Sequence, residues 1–322
     1  MDKITLESTT KKNIKYIYHM ADIHIRLHKR RYAEYKEVFN KLYDYLDNEP
    51  NKDKSLIVIC GDILHSKNEL NPESVTLIVD FLKRLGNMMD VILIMGNHDC
   101  NLSNKNNIDS LTPLVTDISS DHKLFYLRET GIYKYNNISF GVTSLLDEKL
   151  VSADMIKSKS NDNIKIGLYH GPVHGALTDV GYRMNRNEFL VDKFDGYDLV
   201  LLGDIHRFQY MNDKKTICYP SSLIQQSYGE SVNNHGLVKW NLKDLSSEFV
   251  EIPNDYGFYT IKVNNEVFDL TDIKLSKKPR VRLDTQDLDN ADYLSICKAL
   301  KKKYDVQEII QNRVLGKKKQ KQ

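Results

Sequence analysis

Cysteine is scarce in this sequence. The four residues, Cys60, Cys100, Cys218 and Cys297, lie far apart with no CxxC spacing. A dense disulfide framework is therefore excluded, and a reducing, intracellular compartment suits the chain better than a secreted one. Long apolar runs are missing as well. No stretch approaches the roughly 18 residues that a membrane span needs, and the amino terminus, MDKITLESTTKKN, has no apolar segment of the signal-peptide kind. An excess of one charge is also absent. Forty-six basic side chains stand against 44 acidic ones, for a net charge of +2, so any contact with nucleic acid must rest on local clusters. What remains is soluble globular material: 322 residues, 41% hydrophobic and 28% charged, enough for one large domain or one with a small companion.

What the sequence does have is a repeated event. In "VILIMGNHDC", Val91 to Met95 do not alternate with polar residues, the habit of a strand covered on both faces, and the run then breaks into Gly96-Asn97-His98-Asp99. "IKYIYHMADIH" reads as a strand from Ile14 to Met20 that ends in Asp22 and His24. "SLIVICGDILH" ends in Asp62 with His65 three residues on, "NIKIGLYHGPVHG" in His170 with His174 behind it, and "YDLVLLGDIH" in Asp204 and His206. Five apolar runs each stop at residues that bind metal or move protons.

Helices are expected between the first three runs. From Tyr35, the positions Val38, Phe39, Leu42 and Leu46 form one stripe at helical spacing. A second helix begins at Asn71-Pro72, an N-cap followed by proline at the first helical position. It is expected to bury Val75, Ile78, Val79, Leu82 and Leu85 and to end at Gly86 as a C-terminal cap. Strand and helix in alternation predict an α/β fold with ligands at the carboxyl ends of the strands. The second half, with "ISFGVTSL", "TICYPSSL" and "GLVKWNL", is richer in strand. The expected architecture is a sandwich of two sheets flanked by helices.

Asp22, His24, Asp62, Asn97, His170, Asp204 and His206 offer imidazole, carboxylate and amide oxygen but no thiolate. That mixture suits first-row divalent ions better than an all-oxygen cage. Seven donors exceed one catalytic site and suit two ions about 3.5–4 Å apart with a bridging carboxylate. In the D-x-H segment, Ile23 between them lets Asp22 and His24 point the same way at a strand end.

D-x-H, then G-D, then G-N-H-D, then a lone His, then G-x-x-H resembles the calcineurin-like metallophosphoesterase superfamily over residues 16 to about 252. Within it, "MADIHIR", "GDILHS", the Asp of "GNHD", and "YPSSLIQQSYGE" followed by "NNHGLVKWNL" look like the SbcD-type DNA repair nuclease. The resemblance implies a first ion held by Asp22, His24, Asp62 and His206, with Asp62 bridging to a second held by Asn97 and His170. Of the first-row ions that suit these donors, Mn²⁺, Fe²⁺ or Zn²⁺, manganese is the one expected. His98 would face the scissile phosphate with Asp99 orienting its ring, and His65 would either help with substrate or cap its loop. His174 has no clear match.

One motif departs from the pattern. Where the family reads Gly-His-x-His, this sequence reads Gly203-Asp204-Ile205-His206. A carboxylate can replace imidazole on a hard divalent ion, so the second ion is expected to survive, with a one-metal or impaired site as the alternative. "RLHKRRYAEYK" sets Arg26, Lys29, Arg30 and Arg31 beside the site, either as phosphate contacts or as a solvated helix start. Residues 253–315 read as β–β–α–β, with a helix burying Leu294, Cys297 and Leu300. That outline resembles the family's small α+β capping domain, which follows a nuclease domain over 1–252 and precedes a basic, low-complexity tail over 316–322. Lys301, Lys302 and Lys303 are either a DNA-facing edge or the wet side of that helix.

The function implied is a two-metal DNA phosphodiesterase, exonuclease and endonuclease, processing DNA ends in double-strand-break repair or recombination. The alternatives are a general phosphoesterase for small phosphodiesters or phosphoproteins, and a DNA scaffold without turnover. By resemblance the partners are double-stranded DNA ends, an SbcC-type ABC ATPase and a second copy of the chain. Relatives continue into helices that dock on that ATPase. This sequence ends at Gln322 without them, so the partner binds differently or the chain is a piece of a longer one.

Overall fold

Every residue of β3 (Ser55–Cys60) and β4 (Val91–Ile94) is buried, which is why neither segment alternates in sequence. In the computed structural model, which describes residues 3–26, 31–67, 70–147, 149–157, 163–185, 189–263, 273–286 and 288–314, these strands run parallel to β2 (Tyr16–Met20) and β5 (Leu124–Leu127). Antiparallel β12 (Gly236–Asn241) and β13 (Ser246–Glu251) extend the sheet beyond β2, in the order β13-β12-β2-β3-β4-β5. Alternate side chains of β3 serve two cores: Leu56, Val58 and Cys60 meet the second sheet, while Ile57 and Ile59 meet helices.

Those helices are α1 (Tyr32–Asp47) and α2 (Pro72–Gly86). The α1 stripe Val38, Phe39, Leu42 and Leu46 is buried as its spacing predicts. At α2, the Asn71 side chain accepts from the Ser74 backbone N–H at 2.8 Å, and Ser74 Oγ accepts in return from the Asn71 N–H at 3.1 Å. The buried face differs from expectation. Leu77, Ile78, Phe81, Leu82 and Leu85 point inward, while Val75 and Val79 are half-buried. Tilted packing of Phe81 on Phe39, ring centroids 4.3 Å apart, sets the rotation of the helix. Gly86 is the last helical residue rather than a left-handed cap. It is small because a Cβ there would lie 2.5 Å from Ser120 Oγ, where the segment leading into β5 crosses the helix end.

The second sheet comprises β1 (Lys3–Thr5), β6 (Gly131–Tyr135), β7 (Ile138–Thr143), β8 (Ile164–His170), β9 (Leu199–Gly203), β10 (Gln209–Tyr210) and β11 (Ile217–Tyr219), in the order β1-β6-β7-β8-β9-β11-β10. β7, β8, β9 and β11 are mutually parallel neighbours. Tyr135, Phe140, Val142, Leu168 and Leu201 from this sheet meet Ile17, Val58, Ile92 and Trp240 from the first, forming the sandwich core. The fold is thus mixed α/β with two facing sheets and helices on the outside.

After the single turn α3 (Thr112–Val115), the remaining elements form a third, parallel sheet, β14 (Tyr256–Val263), β15 (Lys278–Thr285) and β16 (Glu308–Arg313), with α4 (Asn290–Lys303) between the last two strands. Ile296 and Leu300 of α4 pack on Val263, Val281 and Leu283, with Tyr293 and Cys297 beside them. Leu294, expected in this core, is 64% exposed because it lies about half a turn round the helix from Ile296. The tail over 316–322 lies outside the described residues. Among the described residues, no helix is long and apolar enough to cross a membrane.

Candidate metal centre

Because β2, β3 and β4 run parallel in one sheet and β8 and β9 in the other, their carboxyl ends can share one edge of the sandwich. Asp22 follows β2 by two residues and Asp62 follows β3 by two. Asn97 follows β4 by three, His170 ends β8, and Asp204 directly follows β9. The backbone turns sharply there: Asp22, His24, Asp62 and Asp204 all have left-handed φ, at 56°, 48°, 56° and 94°. Four non-glycine residues in a region that L side chains avoid are the mark of a constrained site rather than a relaxed turn. Close approach demands glycine at two positions. A Cβ on Gly96 would overlap the Asp62 carboxylate and main-chain nitrogen, and one on Gly203 would overlap the Cys60 carbonyl.

The seven residues converge. His24 Nε2 lies 2.9 Å from His206 Nε2, 3.5 Å from Asp62 Oδ2 and 3.9 Å from Asp22 Oδ1. On the other side, His170 Nε2 lies 2.9 Å from Asn97 Oδ1, 3.4 Å from Asp62 Oδ1 and 3.9 Å from Asp204 Oδ1. The two oxygens of Asp62 thus face opposite halves of the cluster. Among the described residues, two groups have the compactness a metal ion requires, Asp22–His24–His206 and Asp22–Asp62–His170; a third, His24–His65–His98, is all imidazole. Asp204 is in none of the three, and its N–H donates to both Asp22 oxygens at 3.1 Å.

The donor set fits a divalent cation on its own geometry. The His170 Nδ1–H donates to the Cys60 carbonyl at 2.7 Å, so Nε2 of the neutral ring is a lone pair facing the Asn97 amide oxygen, another acceptor. The His206 Nδ1–H is directed at Glu230 Oε1, 3.1 Å away, which leaves its Nε2 lone pair toward His24. At His170 and Asn97, two acceptors this close need a proton or a cation between them. Burial works to lower His170, but Asp62, Asp22 and Asp204 hold it well above the ordinary imidazole range. Burial opposes His206 as well, and Glu230 with Asp22 raises it to about 9. Burial pushes Asp22 up to about 7 against the pull of His206 and His170. Burial also raises Asp204. Asp62, despite its burial, is held low by His170, His24 and His98.

His98 stands at the rim of this cluster, its ring edge-on to His24 at 4.7 Å between centroids. Its orientation corrects one sequence expectation. Asp99 does not touch the His98 ring; its buried carboxylate accepts the backbone N–H groups of Asp62, Gly96 and Leu64, each at 2.9 Å, and so ties the β3 and β4 ends together. The His98 ring is instead fixed by Nδ1, which donates to the His65 carbonyl at 2.5 Å, while its backbone N–H donates to Asp62 Oδ1 at 2.9 Å. His65 stacks on His98 and accepts from Arg26 Nη1 at 3.0 Å. Burial and that guanidinium lower His65 to about 4.

Arg31 requires a second correction. Expected among the phosphate contacts, it is 1% exposed and turned inward, with Nε donating to Glu34 at 3.0 Å and its other nitrogens to Gln226 Oε1 and the Gln225 carbonyl. A buried carboxylate draws it there. Arg26 is also half-buried, donating to the Gln226 carbonyl as well as to His65. Lys29 and Arg30 lie outside the described residues. His174 sits in the loop after β8, its N–H donating to the Phe189 carbonyl, and joins none of the three groups.

Sequence reasoning passed over Glu230 and the Gln225–Gln226 pair. All three lie within "SSLIQQSYGE" without metal-motif spacing, and their relation to the site exists only in three dimensions.

A sequence model described as calcineurin-like phosphoesterase matches residues 15–208, the span that carries all seven convergent residues. The "Uncharacterized protein R555" of Acanthamoeba polyphaga mimivirus is 49% identical over 313 residues; the match takes in 95% of this chain but 23% of that protein. The "Putative phosphoesterase 244L" of Invertebrate iridescent virus 6 is 26% identical over 202 residues, covering 62% of this chain and 68% of the relative. The "Putative phosphoesterase 078R" of Invertebrate iridescent virus 3 is 22% identical over 241 residues, covering 71% and 63%.

Proposed function

Because the chain belongs to the calcineurin-like phosphoesterase family, whose members are metal-dependent hydrolases, we propose that it is a two-metal phosphodiesterase that cleaves DNA at or near ends, with manganese as the working ion. The observation that carries this reading is the Asp62 carboxylate, set between the His24–His206 half and the His170–Asn97 half. In the proposed assignment Asp22, His24, Asp62 and His206 hold one ion, and Asp62, Asn97, His170 and Asp204 the other. Two bound divalent ions supply Lewis acidity to the phosphoryl oxygens and an activated water.

The chain's own residues do the rest. His98, pinned through Nδ1, presents Nε2 to the scissile group and steadies charge or a proton on the leaving oxygen. His65, kept neutral beside Arg26, buttresses that ring from one face and meets the substrate from the other. In this proposal the third sheet is the element that would select a duplex over a small phosphodiester. It is tied to the site's own loop by Gln225, whose side chain pairs with both the N–H and the carbonyl of Phe258, and by Tyr228, which donates to Glu308 at 3.1 Å. In this reading residues 253–315 cap the site, and a second copy and an ABC-type ATPase are the protein partners to test for.

The experiment is degradation of end-labelled duplex DNA by purified protein with Mn²⁺, run beside His98→Ala. Manganese-dependent loss of DNA that His98→Ala abolishes while keeping its bound metal is the expected result. Turnover of a small phosphodiester without DNA cleavage would replace the nuclease reading by the general phosphoesterase. If neither substrate turns over but Asp204→His restores activity, the native chain is a metal-binding scaffold.

A further inference from the structure

The three ligand imidazoles of the proposed centre are held by different means. His170 donates Nδ1–H to a main-chain carbonyl, that of Cys60, and its side chain is 1% exposed. His24 has a side chain 3% exposed, and its Nδ1 has no hydrogen-bond partner among the described residues, so close packing rather than a bond at Nδ1 holds that edge of the ring. His206 lies on the loop after β9 and its side chain is 23% exposed, beside a cavity of about 220 Å³ lined by Asp204, Ile205, Ser227 and Glu230. That ring is less enclosed than the other two. What faces its Nδ1 is a carboxylate, Glu230 Oε1, at 3.1 Å.

We infer that Glu230 is the positioning residue of His206: it fixes the Nδ1–H tautomer and the angle at which Nε2 meets the first ion. The inference rests on the metal-centre reading above. Glu230 is itself immobilised. Its Oε2 accepts the Gln226 backbone N–H at 2.7 Å, its carbonyl accepts from Gln225 Nε2 at 3.0 Å, and the Gln225 amide is anchored on Phe258 of β14. A carboxylate hydrogen-bonded to the far nitrogen of a metal-ligating imidazole orients the ring and strengthens its lone pair, and removing such a group weakens metal binding by about 10–100-fold. Since His170 relies on a backbone carbonyl, the ion it holds is independent of Glu230. The loss falls on one ion of the two.

The test is Mn²⁺ binding to the full chain by calorimetry and by electron paramagnetic resonance, for wild type, Glu230→Ala and Glu230→Gln. Each variant is also measured in a His170→Ala background, where the remaining ion is the one His206 holds. The expected result is two ions in the wild type. In Glu230→Ala one ion weakens by about 10–100-fold and the other is unchanged. In Glu230→Gln, whose amide oxygen still accepts from Nδ1, most of the affinity returns. Equal weakening of both ions with a lowered unfolding midpoint of the metal-free protein would make Glu230 a merely structural residue and overturn the inference. Unchanged binding in Glu230→Ala would overturn it too. A wild type that binds no Mn²⁺ would instead sink the metal-centre reading on which it rests, a failure visible without any variant.

Discussion

Replacing Glu34 with alanine removes the carboxylate that Arg31 and Arg280 share. Glu34 is 1% exposed, Arg31 1% and Arg280 0%, so none of the three charges can turn to water. Arg31 Nε lies 3.0 Å and Arg280 Nη1 2.9 Å from Glu34 Oε2, and Asn254 donates to Oε1 at 3.0 Å. Without the carboxylate, Arg31 keeps its bonds to Gln225 and Gln226. Among the described residues, Arg280 keeps only its stacking on Tyr256 and Phe258, at 5.3 and 5.0 Å from the ring centroids. Breaking a buried pair by deleting one partner costs about 3–5 kcal/mol, because the remaining charge is left uncompensated. Glu34→Ala is therefore expected to fall in that range by urea unfolding. The buried Trp240 fluorescence reports the sandwich core, and circular dichroism reports the whole chain. Replacing all three residues by apolar side chains of similar volume should recover most of the loss.

The same cluster has a pH signature. Burial raises the Glu34 pKa, but Arg31 and Arg280 outweigh it and hold the folded value below the ordinary 4.5. A depressed carboxylate contributes stability that is full above its unfolded pKa and is lost as pH falls through the folded one. The wild type should thus lose this contribution below about pH 4.5, and Glu34→Gln should show a flatter acid limb. A Glu34→Ala protein within about 1 kcal/mol of wild type, with an unchanged denaturant slope, would refute the account of a buried, shared charge.

Two further outcomes follow from the geometry. Gly96→Ala places a methyl against the Asp62 carboxylate and is expected to cost about 1–3 kcal/mol by overpacking; it should also weaken Mn²⁺ binding at both ions of the proposed centre, since Asp62 faces both halves, as calorimetry would register. His19 is fully buried and donates to the Leu202 carbonyl at 3.0 Å; burial lowers its pKa to about 3. Because the folded value lies below the unfolded one, this contribution is full above about pH 6.5 and erodes as pH falls toward 3, by about 2 kcal/mol between pH 7 and 5. The wild type should lose that much more stability than His19→Gln over the same interval in chemical unfolding.

Much of the site was legible because of how parallel strands are built. Apolar runs that do not alternate must be covered on both faces, and βαβ connections bring their carboxyl ends to one edge. Asp22, Asp62 and Asn97 could therefore be grouped before any contact was known. The α1 stripe and the Asn71 cap were equally local, set by helical spacing and one side-chain hydrogen bond. Sequence alone did not determine which way a polar residue turns when two partners compete for it. Arg31 reads as a surface cation until Glu34 and Gln226 draw it inward, and Asp99 reads as the partner of His98 until three backbone N–H groups claim its carboxylate. Leu77 and Phe81 face the core in place of Val75 and Val79 because Phe39 packs there. The Glu230–His206 contact arises only when the chain between β11 and β12 folds back beneath β14. Periodicity and strand-end chemistry are properties of a few consecutive residues; these outcomes depended on packing between segments that only the tertiary structure brings together.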